Sequence, residues 1–247
     1  MHASALFIFA HPDDESFSSA GTALKYKSAG IRTALVTATR GERGKVGDPP
    51  VCTPDELPAC RERELRQAAD VIGFDELHLL GYRDRELADA PPADVRRTLV
   101  SFIRRIRPVI VHTFDPNGFN VHPDHVAISR FTSDAIAVAT DPRWYPEEGD
   151  PHVVSRLVWI PPIGPWETPR ADRLPAQYGA DFVIDITPWR DQKIAALRAH
   201  RTQHLSVEKY FFNQPDPDWV LSTELWRHAW GPVLLRRPSS DLLEGLM

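Results

Sequence analysis

Four times in its first half the chain runs a short, unbroken apolar stretch into an amphipathic one, and this alternation narrows the choice of fold more than any other feature. Residues 5–10 (ALFIFA), 32–38 (RTALVTA), 76–80 (ELHLL) and 108–113 (PVIVHT) read as strands. Residues 16–29, 57–72, 93–106 and 123–137 read as the helices between and after them, the first two closed by Gly30 and Gly73. Strands apolar on both sides need cover above and below. The predicted fold is therefore α/β and Rossmann-like, a mostly parallel sheet with helices on both faces. In the second half, 156–160 (RLVWI) and 182–186 (FVIDI) read as further strands. Residues 187–204 read as a helix with Pro188 in its first turn. No composition break divides the chain, so one α/β domain over residues 1–247 is expected, with a Pro-rich variable loop around 140–180.

A chain of 247 residues buries a large core without disulfides or structural metal, so a metal site in it points to function. The net charge of −5 argues against nucleic acid as a partner. The arginines at 96–97, 104–105 and 107 read as a solvated helix face near a C-terminus, where the helix dipole favours cations. Cys52 and Cys60 have neither the number nor the spacing of a zinc ribbon. A disulfide between them is open, and reduced loop thiols are the preferred reading. The N-terminus lacks the basic start and cleavage site of a signal peptide, and no run reaches the ~20 apolar residues of a membrane span. A cytoplasmic protein with no membrane partner is expected. Homo-oligomerisation is left open.

In open α/β sheets ligands bind beyond the carboxyl ends of the strands, where strand order reverses. Two polar clusters fall at such ends: His11-Pro12-Asp13-Asp14-Glu15 after the first strand, and His122-Pro123-Asp124-His125 after the fourth. Catalytic zinc takes three protein ligands and keeps one position for water, and His11, Asp14 and His125 would supply such a set. Asp13 then points elsewhere and can act as base toward a zinc-activated water. His122 can stabilise an oxyanion or protonate a leaving amine. Asp124 can fix a histidine tautomer. Either cluster alone could be a plain helix N-terminus, where Asp caps and Pro fits the first turn. Both together, each after a strand, favour a metal site.

The pair AHPDDE (10–15) and HPDH (122–125) resembles the PIG-L/LmbE-like family of zinc-dependent N-acetylglucosaminyl deacetylases. The likeness continues in order through Arg40-Gly41-Glu42-Arg43-Gly44, Arg61-Glu62-Arg63-Glu64-Leu65, Gly81-Tyr82-Arg83-Asp84 and the late stretch ending His200-Arg201-Thr202-Gln203. The resemblance implies one zinc, or another divalent metal, on His11, Asp14 and His125, with Asp13 as base and His122 as acid or electrophile. It also implies substrate contacts near Ser18, Arg61 and Asp84. The chain departs from the family pattern at Asn120, where members acting on mycothiol precursors carry Tyr, and at Val121, where Gly is frequent.

The expected activity is hydrolysis of an N-acetyl or other N-acyl group on a GlcNAc-like small molecule. The alternatives are a metal-dependent phosphoesterase and a sugar-binding protein with a vestigial site. Of the remaining candidates, His200 and His204 read as helix-face residues lining the pocket rather than as a second metal site, and His78 and His112 as core or as supports behind the site. Trp159 and Trp166 read as packing or sugar-stacking groups. Glu42 and Arg43 read as pocket or turn residues. Nucleotide cofactors are not implied, since the GxGxxG and P-loop patterns are missing.

Overall fold

A computed structural model of the protein describes residues 3–167 and 179–246. The part of the expected variable loop at 168–178 lies outside the described residues. Strands β1 (Ser4–Phe9), β2 (Arg32–Thr39), β3 (Glu76–Tyr82), β4 (Ile110–Phe114), β5 (Arg156–Ile160), β6 (Phe182–Asp185) and β7 (Thr223–Trp230) form one seven-stranded sheet in the order β3-β2-β1-β4-β5-β7-β6. β1 to β5 run parallel, and β7 enters antiparallel between β5 and β6. The chain steps outward from β1 to β2 and β3, then returns to place β4 on the other side of β1. This reversal opens a crevice at the carboxyl ends of β1 and β4, where the two histidine clusters begin.

Every residue of β1 is buried, as expected for the central strand of a two-faced sheet. Helices α1 (Asp14–Ser18), α2 (Ala20–Ser28), α3 (Leu57–Ile72), α4 (Pro92–Ile106), α5 (Gly118–Val121), α6 (Pro123–Ala139), α7 (Arg190–Ala199), α8 (His204–Val207) and α9 (Pro217–Ser222) connect and cover the strands. α2, α3 and α7 pack together, as α4 and α6 do. α3 buries Leu57, Cys60, Arg61, Glu64, Leu65, Ala68 and Ile72, a stripe at helical spacing, and stops at left-handed Gly73. No helix among the described residues is long and apolar enough to cross a membrane.

The expected helix at 16–29 is divided at Ser19, and the one at 187–204 ends at Ala199. Both thiols are free, and Cys60 is buried on α3 rather than in a loop. Arg104 is not part of a solvated face. It is buried, and its guanidinium donates to the carbonyls of Ala139, Asp141 and Tyr145, which ties α4 to the end of α6.

β7 fixes the other half of the molecule through one buried carboxylate. Glu224 accepts from the backbone N–H groups of Gly21 and Thr22 at 2.9 and 2.7 Å, so it caps α2 from across the sheet. It also accepts from the Thr22 hydroxyl and from Lys193 Nζ at 2.6 Å, and both charged side chains are 1% exposed. Removing one partner of such a pair strands the other charge. Lys193→Met is expected to destabilise the fold by about 3 kcal/mol, measured by urea unfolding. Glu224 keeps its other donors, so the loss falls at the low end for a broken buried pair.

Candidate metal centre

The β1–β4 pairing brings the two clusters together across more than a hundred residues of sequence. His11 Nδ1 and His125 Nε2 are 3.1 Å apart, and Asp14 carboxylate oxygens lie 3.7 and 3.5 Å from them. Bonds of 2.0–2.2 Å at tetrahedral angles place donors roughly 3.3–3.5 Å apart. The two nitrogens stand near that spacing, the Asp14 carboxylate faces each through a different oxygen, and the His122 ring also reaches the same point. His11, Asp14 and His125 are all buried.

Outer partners aim both imidazoles at that point. The Gly118 carbonyl accepts from His125 Nδ1 at 3.2 Å, which leaves the Nε2 lone pair facing inward. His11 Nε2 donates to Asp124 at 3.1 Å and faces Asp84 at 3.3 Å, which leaves Nδ1 as the inward atom. Asp124 is fully buried and anchored by the backbone N–H groups of Arg85 and Leu87. Asp84 accepts from the N–H of Arg43, while its own N–H donates to Glu42. Burial alone would raise the Asp84 carboxyl, but His11 and Arg61 hold it well below the usual carboxylate range.

Asp13 stands apart from the ligand trio in an unusual backbone conformation, with φ at +114°. Several contacts hold it there. Its N–H donates to Glu15 at 3.1 Å, and its carboxylate meets Arg61 at 3.1 Å. The same guanidinium donates to the carbonyls of Pro12 and Gly41. A Cβ on Gly41 would lie 2.0 Å from an Arg61 nitrogen, so the glycine makes room for this arginine. Burial pushes the Asp13 carboxyl above its ordinary range, against the pull of Arg61. That shift strengthens Asp13 as a proton acceptor.

His122 sits at the N-cap of α6 and is half-buried. Its Nδ1 accepts the Asp124 N–H at 3.2 Å, which leaves Nε2 to carry the proton as a donor. Burial and the nearby His11 charge lower its pKa. Before it, Phe119 and Val121 take φ of +61° and +58°, conformations that cost a β-branched residue most. A glycine at position 121 would hold this φ without that strain. Asn120 Oδ1 accepts the His122 N–H.

A cavity of about 520 Å³ opens over this group, lined by the candidate ligands, Asp13 and His122 together with Ser18, Arg61 and Asp84. Arg61 and Asp84 are 4% and 3% exposed and already bonded within the site, so they serve its frame more than its mouth. Trp166 and Arg43 also line the cavity, whereas Trp159 does not. His112 is core, stacked on Phe7, but His78 is half-exposed on β3 beside Glu76 and Arg105.

Two expectations for the late histidines are corrected. His200 and His204 do not share a helix, because α7 ends before the first and α8 begins at the second. His200 does not line the cavity over the metal donors. It is fully buried, with Nε2 2.7 Å from Glu15, and His204 bonds to the Asp48 carbonyl. Glu15 had no assigned role in the sequence; its place directly after two carboxylates was the available signal. Burial opposes both charges, yet Glu15 is held below and His200 above its ordinary range by the other.

The model of the family described as PIG-L, GlcNAc-PI de-N-acetylase, matches residues 6–136. The chain belongs to the PIG-L family. Among PIG-L relatives, the 1D-myo-inositol 2-acetamido-2-deoxy-alpha-D-glucopyranoside deacetylase of Streptomyces scabiei is 32% identical over 98% of this chain and 89% of its own length. A probable N-acetyl-alpha-D-glucosaminyl L-malate deacetylase of Bacillus anthracis is 37% identical over 62% of this chain and 73% of its own. The solved N,N'-diacetylchitobiose deacetylase of Pyrococcus horikoshii shares the fold at a TM-score of 0.70 and 22% identity, covering 92% of this chain and 83% of that one.

Two measurements follow from the PIG-L site. Burial would lower the pKa of His11, but Asp124, Asp84 and Asp14 outweigh it and raise it from 6.5 to about 10. In metal-free protein a proton thus sits where the cation would bind. Metal uptake should release it, and affinity should rise about tenfold per pH unit from about 7, below which burial keeps Asp14 protonated as well, up to about 10, read by competition titration. The proton's contribution to metal-free stability is full below 6.5 and lost as pH rises through 10. Separately, His200→Leu should cost about 3 kcal/mol. In a double-mutant cycle with Glu15→Gln the two losses should be non-additive by more than about 1 kcal/mol.

Proposed function

We propose that this PIG-L protein is a metal-dependent amide hydrolase that removes the N-acetyl group from a glucosamine-containing small molecule, with one zinc on His11, Asp14 and His125. The observation that carries the reading is the convergence of the His11, His125 and Asp14 side chains beside a second carboxylate, Asp13, and a third imidazole, His122. The named relatives are deacetylases of GlcNAc conjugates, which supports the acyl group and the sugar. Two imidazoles and one carboxylate suit zinc, and other divalent cations compete for the same donors.

The chemistry a divalent cation supplies here is Lewis-acid activation, under which water loses a proton near pH 7 rather than 15.7. Asp13, its carboxylate held in place by Arg61, would take a proton from the water that attacks the acetyl carbonyl. His122 hydrogen-bonds from Nε2 to the oxygen that gains charge, and Asp13 passes the proton it has taken to the departing nitrogen, which returns Asp13 to its carboxylate. Asp124 serves both steps by orienting His11 with its side chain and His122 with its N–H. Ser18 faces the cavity and is available to a sugar hydroxyl.

A phosphoesterase would usually need two metals ~3.5–4 Å apart. The second acidic group here, Asp84 and Asp124 with His11, is committed to orienting the His11 ring. Amine release from N-acetylated sugars, abolished by chelator and restored by zinc at one per chain, tests the proposal. Asp13→Asn should lower kcat by at least about a hundredfold while the metal content stays at one. Loss of metal from that variant would mean that Asp13 and Asp14 have exchanged roles.

A further inference from the structure

The cavity over the metal centre is polarised along the sheet. Its wall beyond β4 and β5 is aromatic, with Phe119 and Trp166 in edge contact at 5.8 Å and Tyr210 next to Trp166 at 5.2 Å. Its opposite rim, in the loops after β2 and β3, carries Arg43, Lys45 and Arg85. The candidate metal ligands lie between the two.

The charges of this lining do not cancel once a metal is in place. Four acids (Asp13, Asp14, Asp84 and Glu167) face four bases (Arg43, Lys45, Arg61 and Arg85), so a divalent cation leaves an excess of two positive charges. The acids are also spatially committed. Asp13 is paired with Arg61, Asp14 belongs to the donor trio, Asp84 serves His11, and Glu167 accepts the Gly164 N–H on the aromatic side. On the cationic rim, Arg43 shares Glu86 with Arg83. The side chains of Lys45 and Arg85 are exposed and have no acidic partner within 4 Å among the described residues. Arg85 lines the same cavity as His122, and its backbone N–H donates to Asp124 at 2.6 Å, which sets the residue next to the candidate centre.

We propose that Lys45 and Arg85, with Arg43, form a subsite for an anionic aglycone, a carboxylate or phosphate on the group attached to the sugar. The sugar ring then lies toward Phe119, Trp166 and Tyr210, whose apolar faces suit its C–H surface. The acetamide is over the metal donors, and the aglycone projects toward the ends of β2 and β3. The assignment rests on the deacetylase reading for the acetamide end, and adds what the other end must carry. Cations on a cavity rim raise encounter rates for anions and select against neutral analogues.

The test uses the metal-loaded full chain and three GlcNAc α-glycosides, of myo-inositol, of inositol phosphate and of L-malate. Two readouts are taken: kcat/KM for amine release, and calorimetric Kd for the corresponding amine products, which needs no turnover. Both acidic compounds should exceed the inositol compound about tenfold in each readout, and the advantage should shrink as salt is raised. The ranking of malate against phosphate identifies the anion. In the Lys45→Gln/Arg85→Gln double variant the acidic-to-neutral ratio should fall to within about threefold. Equal or better handling of the neutral compound by the unmodified protein, or a ratio that survives the double substitution, would overturn the subsite. If nothing is hydrolysed but the acidic products still bind more tightly and lose that advantage in the variant, the subsite stands and the deacetylase reading falls.

Discussion

Five carboxylates gathered beyond the carboxyl ends of β1, β3 and β4 are the constraint around which the molecule is arranged. Asp13, Asp14, Glu15, Asp84 and Asp124 crowd a region with little access to water. Ionised groups in such a place need counter-charges or several donors each. Every one has them, and few come from nearby in sequence. Arg61 arrives from α3, His200 from the end of α7, His11 from the neighbouring strand end, and the amides of Arg85 and Leu87 from the turn after β3. The loops on this side of the sheet are shaped by that neutralisation.

The same demand accounts for the local irregularities. Asp13 tolerates a positive φ because Glu15 and Arg61 grip it from two sides. Gly41 and Gly44 lie against the Arg61 side chain, where any Cβ would displace it. α7 ends where His200 turns inward to reach Glu15. Each is a place where the backbone departs from regular geometry so that a charge can be met.

The sheet and the meeting of the two histidine clusters were legible in the sequence because both are written in short-range patterns. Continuous apolar runs marked β1, β2 and β4, and two compact histidine clusters marked the crevice. β7 was missed because its residues, TELWRHAW, carry no such run. Glu224 within it reads as a solvent-facing acid, and its burial makes sense only with Lys193 and the N-terminus of α2 beside it. His200 failed as a reading for the same reason, since its partner lies 185 positions away. Arg61 and Asp84 were marked as site residues through the family likeness, but their engagement with Asp13 and His11 could be seen only in three dimensions.

The division between local and distant partners bears on how the protein is made. Residues 6–136, the stretch matched by the family model, contain all three candidate donor residues. Lys193, His200 and Glu224 belong to the last quarter of the chain. During synthesis the ribosome therefore exposes the donors long before the groups that neutralise Glu15 and cap α2 have been translated. A nascent chain would be able to capture a metal ion before it could hold the surrounding carboxylates in place. Maturation of the site is thus tied to completion of the polypeptide, and a fragment ending near residue 136 would own the ligands without owning the centre.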